Sequence, residues 1–254
     1  FALSGLHVEL ATRAGKVHAV RGVSYAVAHG RPLAVVGESG CGKSVTLQAV
    51  MGLMPSPPGR IAAGSARLNG RELLTLSAHE LNRVRGAEVG MIFQDPMSAL
   101  NPTMRIGTQI AEVLVTHRGT GWRTAEAEAV RLLERTRIPA ARARARQYPF
   151  EFSGGMLQRA MIAIALACKP ALLIADEPTT ALDVTVQDQV LGLMQEIQRE
   201  DGMAVVLVTH DLGVVARMAD DVAVMYAGEV VERGSVEDVF YRHAHPYTAG
   251  LLQA

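Results

Sequence analysis

The stretch Leu33-Ala34-Val35-Val36-Gly37-Glu38-Ser39-Gly40-Cys41-Gly42-Lys43-Ser44 constrains the fold more than any other part of the chain. Four consecutive apolar residues are the pattern of a strand buried on both faces. Residues 37–44 then match G-x-x-x-x-G-K-[ST], a phosphate-cradling loop that needs a strand before it and a helix after it. The helix is predicted to run to about Met54, ahead of the proline cluster at 55–58. In such a loop glycines let backbone N–H groups curl around phosphate oxygens, and the helix N-terminus adds the positive end of its dipole. Lys43 is placed to reach the β- and γ-phosphates and the Ser44 hydroxyl to ligate magnesium. The candidate nucleotide-binding residues are therefore Gly37, Glu38, Ser39, Gly40, Cys41, Gly42, Lys43, Ser44 and the adjoining Val45. The Cys41 side chain has no required role there, although its thiol would make the site sensitive to thiol reagents.

Downstream, Leu172-Leu173-Ile174-Ala175-Asp176-Glu177 is an apolar run closed by two carboxylates. Many strands end in acidic turns, so this run alone says little. Behind a phosphate loop it gains meaning, because phosphoryl transfer depends on positioning and charge neutralisation. Asp176 suits a place near magnesium, and Glu177 a place beyond it where it polarises water.

The remaining pattern is α/β. The first 30 residues alternate as antiparallel sheet up to the turn His29-Gly30-Arg31-Pro32. Strand signals fade over residues 95–147, where 110–114 and 125–136 carry helical spacing. Residues 171–175 and 204–208 read as buried strands on either side of an amphipathic helix, 185–199, an order that predicts parallel pairing through a crossover. Residues 222–226 and 229–232 flank Ala227-Gly228 as a hairpin. Arg142, Arg144 and Arg146 alternate as a phosphate- or lipid-binding edge would, but a solvated helix face is the simpler reading.

Composition narrows the function classes. At 254 residues a sizeable core is available. Twenty-five basic and 25 acidic side chains cancel, so no overall field favours nucleic acid. Cys41 and Cys168 lack any CxxC or Cys/His ligand spacing, which argues against structural zinc or iron–sulfur sites and suits a reducing compartment. The longest apolar run, residues 160–168, is far below the roughly 20 residues that span a bilayer. The opening Phe1-Ala2-Leu3-Ser4 has no signal-peptide pattern, and a trimmed start is expected.

Taken in order, these residues resemble the ATP-binding subunit of an ABC transporter. Residues 37–44 match that family's Walker A, Asp176 its Walker B and Glu177 its catalytic glutamate. Phe152-Ser153-Gly154-Gly155-Met156 matches the signature motif, and Gln94, within Met91-Ile92-Phe93-Gln94-Asp95-Pro96, the Q-loop. Ala181-Leu182-Asp183 matches the D-loop and His210, in Val208-Thr209-His210-Asp211, the switch histidine. The resemblance implies a P-loop NTPase core with a RecA-like, mostly parallel sheet, an N-terminal antiparallel β subdomain and an inserted α-helical subdomain. Residues 1–94 and 161–254 would form the core and 95–160 the helical subdomain carrying the signature. It further implies ATP and Mg2+ as cofactors, with Ser44, Gln94 and Asp176 on the metal and Glu177, His210 and Gln94 in catalysis. Two such domains pair head to tail, so Ser153, Gly154, Gly155 and Asp183 would serve nucleotide at the partner's phosphate loop.

Two departures stand out. Met156 replaces a glutamine common in the signature, and the neighbourhood that usually stacks an aromatic on adenine reads Lys16-Val17-His18-Ala19, which leaves Val17 or His18 for the base and Tyr25 for the core. Residues 94–102, Tyr148-Pro149 and His245-Pro246-Tyr247-Thr248 resemble the peptide/nickel importer branch. That branch implies a peripheral subunit on the cytoplasmic face of the membrane, two transmembrane permeases and an extracytoplasmic solute-binding protein. Di- or oligopeptides are the expected cargo, with nickel or another small solute as the alternative. A soluble ABC-type ATPase acting on nucleic acid is the alternative of another class, and the neutral charge and the lack of a coiled-coil insertion weigh against it.

Overall fold

A computed structural model describes residues 1–180 and 182–253. In chain order it contains β1 (Ala2–Thr12), β2 (Gly15–Ala26), β3 (Pro32–Val36), α1 (Lys43–Val50), β4 (Gly59–Leu68), β5 (Arg71–Glu72) and α2 (Ala78–Val84). Then come β6 (Val89–Ile92), α3 (Pro96–Ala99), α4 (Ile106–Arg118), α5 (Trp122–Arg135), α6 (Ala141–Arg144), a 3-10 turn (Pro149–Glu151), α7 (Gly154–Leu166), β7 (Leu172–Asp176) and α8 (Val184–Asp201). The last elements are β8 (Ala204–Val208), α9 (Leu212–Met218), β9 (Asp221–Tyr226), β10 (Glu229–Ser235), α10 (Val236–Tyr241) and α11 (Pro246–Gln253). The chain divides into two units, Phe1–Leu81 with Ala204–Ala254, and Asn82–Met203.

In the first unit β1 pairs antiparallel with β2 and with β4, and β5 extends the same sheet beyond β4. A second group of strands runs in the order β10-β9-β3-β8. All five residues of β3 are buried, because β3 pairs parallel with β8 on one side and β9 on the other, as its unbroken apolar run predicts. Ala34, Val36, Val215, Val222, Val224 and Val239 form one core cluster there. The β9–β10 hairpin turns through Ala227 (φ 47°) and Gly228 (φ 85°), two left-handed residues of the kind whose twist suits a two-residue connection.

Helix α1 ends earlier than the proline cluster predicts. Gly52 lies in the left-handed region, its N–H donates to Ala49 O at 3.1 Å and the Leu53 N–H donates to Gln48 O at 2.8 Å. This paired pattern satisfies the last carbonyls and stops the helix at Val50, five residues before Pro55.

In the second unit β6 and β7 pair parallel, with Ile92 opposite Ala175. That register carries Gln94 and Glu177, each two residues beyond, off matching strand ends. The helices α4, α5 and α7 bury a common core that includes Ile110, Leu114, Leu133, Phe152 and Leu157. Arg135 ties the end of α5 to the end of α8 through Asp201, at 2.9 and 3.0 Å, and Glu200, at 3.0 Å. Among the described residues no helix is long and apolar enough to cross a membrane.

Candidate ATP site and its relatives

The phosphate loop is built by the first unit. Lys43 opens α1 and is buried, with 5% of its surface exposed, and its ammonium donates to Gly37 O at 2.6 Å and Glu38 O at 2.8 Å. The loop's glycines are required by its surroundings. A Cβ on Gly37 (φ 148°) would sit 2.2 Å from Met225 O, and one on Gly42 (φ 104°) 2.5 Å from Ala19 O. Backbone bonds from Gly228 N to Cys41 O (3.0 Å) and Arg21 N to Gly228 O (2.7 Å) brace the loop against β2 and the hairpin. Cys41 is buried, its sulfur 3.8 Å from Lys43 Nζ. Helix α1 begins directly after Gly42, so its first N–H groups have no partner within the helix and suit phosphate oxygens.

A contact the sequence reading lacked comes from α11. The Glu38 N–H donates to Tyr247 Oη at 3.0 Å, and Tyr247 packs on Tyr226 with ring centroids 4.4 Å apart. Burial pushes the Tyr247 phenol above its ordinary value. The His-Pro-Tyr-Thr element thus reaches the phosphate loop. His210 lies between β8 and α9 on an exposed turn, next to Asp211, whose Oδ1 caps α9 by accepting from Gly213 N (2.8 Å) and Val214 N (3.2 Å). Near the start of the chain, His18 (side chain 60% exposed) and Val17 (49%) both face solvent, whereas Tyr25 is core and its phenol is raised by burial.

In the second unit, Asp176 ends β7 with only 7% of its surface exposed. Glu177 follows in the left-handed region (φ 46°), a conformation that costs a side-chain-bearing residue about 1–2 kcal/mol and turns the chain off the strand end. Two donors meet on its Oε2, Gln94 Nε2 at 3.1 Å and Thr180 Oγ1 at 3.0 Å. The structure therefore brings Gln94 and Glu177 together and adds Thr180. No motif marked Thr180; its only signal is a hydroxyl three residues after an acidic strand end, which is common in turns.

Ser153 caps α7, its Oγ accepting from Met156 N at 3.4 Å, and Gly154 and Gly155 form the first turn. Met156 packs on the helical core, so an apolar side chain suits that position. A Cβ on Gly155 would come 2.5 Å from Val186 Cγ1 in α8, whose cap is Asp183 Oδ1, accepting from Val186 N at 3.0 Å. The signature turn and Asp183 thus meet at one place. The first residue of the expected D-loop, Ala181, lies outside the described residues.

A family model described as ABC transporter matches residues 20–180. The chain belongs to that family. This ABC protein is 54% identical to the oligopeptide transport ATP-binding protein OppD of Bacillus subtilis (strain 168), over 97% of its own length and 69% of that protein. It is 52% identical to the dipeptide transport ATP-binding protein DppD of the same organism, over 98% of the chain and 75% of the relative. With OppD of Escherichia coli (strain K12) the identity is 53%, covering 98% and 73%. Its fold matches a solved dimeric ATP-binding cassette, MJ0796, in a post-hydrolysis state bound to ADP and Pi, with a TM-score of 0.82 and 26% identity over 92% of this chain and 98% of that one. The fold is accordingly the ABC ATPase cassette, with an antiparallel β part and a parallel-rich part, and the chain is an ATP-hydrolysing transport ATPase.

If the Thr180 hydroxyl orients Glu177, then Thr180→Val is expected to lower kcat for ATP about tenfold or more with KM unchanged, since a hydrogen bond to a charged carboxylate contributes about 1.5–3 kcal/mol. Thr180→Ser should recover most of the rate. A KM that rises while kcat stays put would show that the hydroxyl serves binding instead.

Proposed function

We propose that this chain is the ATP-hydrolysing subunit of an importer of di- and oligopeptides, working on the cytoplasmic face of the membrane. The observation that carries the cargo is identity of 52–54% along nearly the whole chain to oligopeptide and dipeptide transport ATP-binding proteins. Its partners are a second ATP-binding domain, two transmembrane permeases and an extracytoplasmic solute-binding protein. Residues 95–160 act as the subdomain that carries the signature to the partner's nucleotide.

The roles follow from the chemistry of each group. Lys43 already points its ammonium into the loop, held on two carbonyls, and exchanges these for β- and γ-phosphate oxygens when ATP enters. Ser44, Asp176 and Gln94 offer a hydroxyl, a buried carboxylate and an amide, an all-oxygen set that suits Mg2+. Bound there, the ion would neutralise phosphate charge. Glu177, fixed at Oε2 by Gln94 and Thr180, takes the proton of the attacking water. Because Gln94 sits on the Q-loop and touches this carboxylate directly, a movement of that loop alters the base itself. His210 contacts the γ-phosphate from its exposed turn, and Ser153, Gly154 and Gly155 present the α7 N-terminus to the partner's ATP.

The test is to purify the complex from membranes and assay its ATPase with the solute-binding protein present. Two permeases are expected in fixed ratio with this chain, with stimulation by short peptides. Absence of permeases would overturn the importer reading, and stimulation by nickel but not by peptide would overturn the cargo.

A further inference from the structure

A cavity of about 930 Å³ in the second unit takes no part in the chemistry above. The start of α4 supplies Arg105, Gly107 and Thr108, α5 supplies the stripe from Arg123 to Glu134, and Arg142, Ala145 and Arg146 close the wall. Its volume is that of sites that hold cofactor-sized ligands. Five arginines and two glutamates, Glu126 and Glu134, line it, and Glu128 neutralises one of the arginines, leaving a formal excess of two positive charges on a chain whose total is zero.

The pairing of these arginines separates them from their neighbours. In the same unit Arg135 is held by Asp201 and Glu200, Arg137 by Glu196, Arg144 by Gln147 Oε1 at 2.8 Å, and Arg159 by Gln189 Oε1 at 2.8 Å. In the cavity wall only Arg131 is paired, with Glu128 at 2.8 Å. Among the described residues the guanidinium groups of Arg105, Arg123, Arg142 and Arg146 have no hydrogen-bond or ion-pair partner, although two carboxylates share their wall. The alternating arginines of the sequence are thus sorted by the fold, with Arg144 paired to Gln147 and Arg142 and Arg146 left for the cavity.

We propose that this cavity binds a compact, multiply charged phosphate group. Unpaired guanidinium forks from three elements around one concavity suit a group with several oxygens, each fork making bidentate bonds that an ammonium would not. The limited charge excess, with Glu126 and Glu134 in the wall, fits a ligand of two or three negative charges better than a long polyanion such as nucleic acid. The phosphate belongs either to a soluble polyphosphate or to an anionic lipid headgroup.

The chain's one tryptophan, Trp122, is half exposed and directly precedes the wall residue Arg123, so its fluorescence is the probe. Titration of the full chain with inorganic tripolyphosphate should change its fluorescence saturably, both in the wild type and in Lys43→Ala, where the phosphate loop is impaired. The pair Arg142→Ala and Arg146→Ala should weaken this response about tenfold or more while ATP hydrolysis is unchanged. Arg123→Gln gives a second test should the alanine pair fold poorly. Co-sedimentation with phosphatidylcholine vesicles, with and without phosphatidylglycerol, separates the sources. Binding to the anionic vesicles that the arginine variants lose assigns a headgroup, and tripolyphosphate saturation without vesicle binding assigns a soluble compound. If neither response depends on these arginines, the proposal is overturned.

Discussion

Glu177→Gln is expected to lower ATP hydrolysis by roughly 10²–10⁴-fold, the usual contribution of a positioned general base, with ATP binding retained. The structure makes this a clean substitution. Gln94 Nε2 and Thr180 Oγ1 both donate to Glu177 Oε2, and an amide oxygen at the same place still accepts both bonds. The left-handed backbone at Glu177 tolerates glutamine no worse than glutamate, so the unfolding midpoint should not move. What is removed is the charge and the ability to hold a proton. Steady-state hydrolysis measured beside equilibrium binding of ATP checks the claim. Hydrolysis that persists undiminished in a complex whose partner site is also disabled would remove Glu177 from the role of base.

The parts of this site that were legible in sequence are those whose chemistry is local. The phosphate loop is a run of eight residues, and its glycines are dictated by carbonyls 2.2 and 2.5 Å from any added Cβ, so the motif and its reason coincide. Gln94 and Glu177 lie 83 residues apart, and only the parallel register of β6 and β7 brings them to 3.1 Å. Their association was implied by resemblance but not by spacing. Strand β4, Gly59–Leu68, is rich in alanine and glycine and shows no strand pattern of its own; it forms because β1 offers it a paired edge. Tyr247 was legible only as part of a branch-specific phrase, since its bond to Glu38 spans 209 residues. Likewise the three alternating arginines look alike in sequence, and only folding separates the paired Arg144 from the other two.

Ser153→Asp is expected to disable the partner domain's ATP site and to spare the site over Lys43 of the same chain. Aspartate is as good a helix cap as serine, so the side chain should still accept from the first turn of α7, and a carboxylate there is favoured by the helix dipole. The fold is therefore preserved. The same carboxylate repels the terminal phosphate that the α7 N-terminus is proposed to hold. Loss of electrostatic stabilisation of this kind costs roughly 10²-fold or more in hydrolysis. With the two ATP-binding domains carrying different tags, photolabelling with an azido-ATP should fall on the unaltered partner and persist on the chain bearing Ser153→Asp. Complementary labelling is expected for Lys43→Ala, which should lose its own label and leave the partner's. A loss of label from the Ser153→Asp chain itself would mean that the signature turn serves the nucleotide of its own phosphate loop. Gly155 extends the logic within the chain, because it abuts Val186 one turn from the Asp183 cap. If the α7 N-terminus receives the partner's phosphate as proposed, this contact places α8, through Val186, directly behind it.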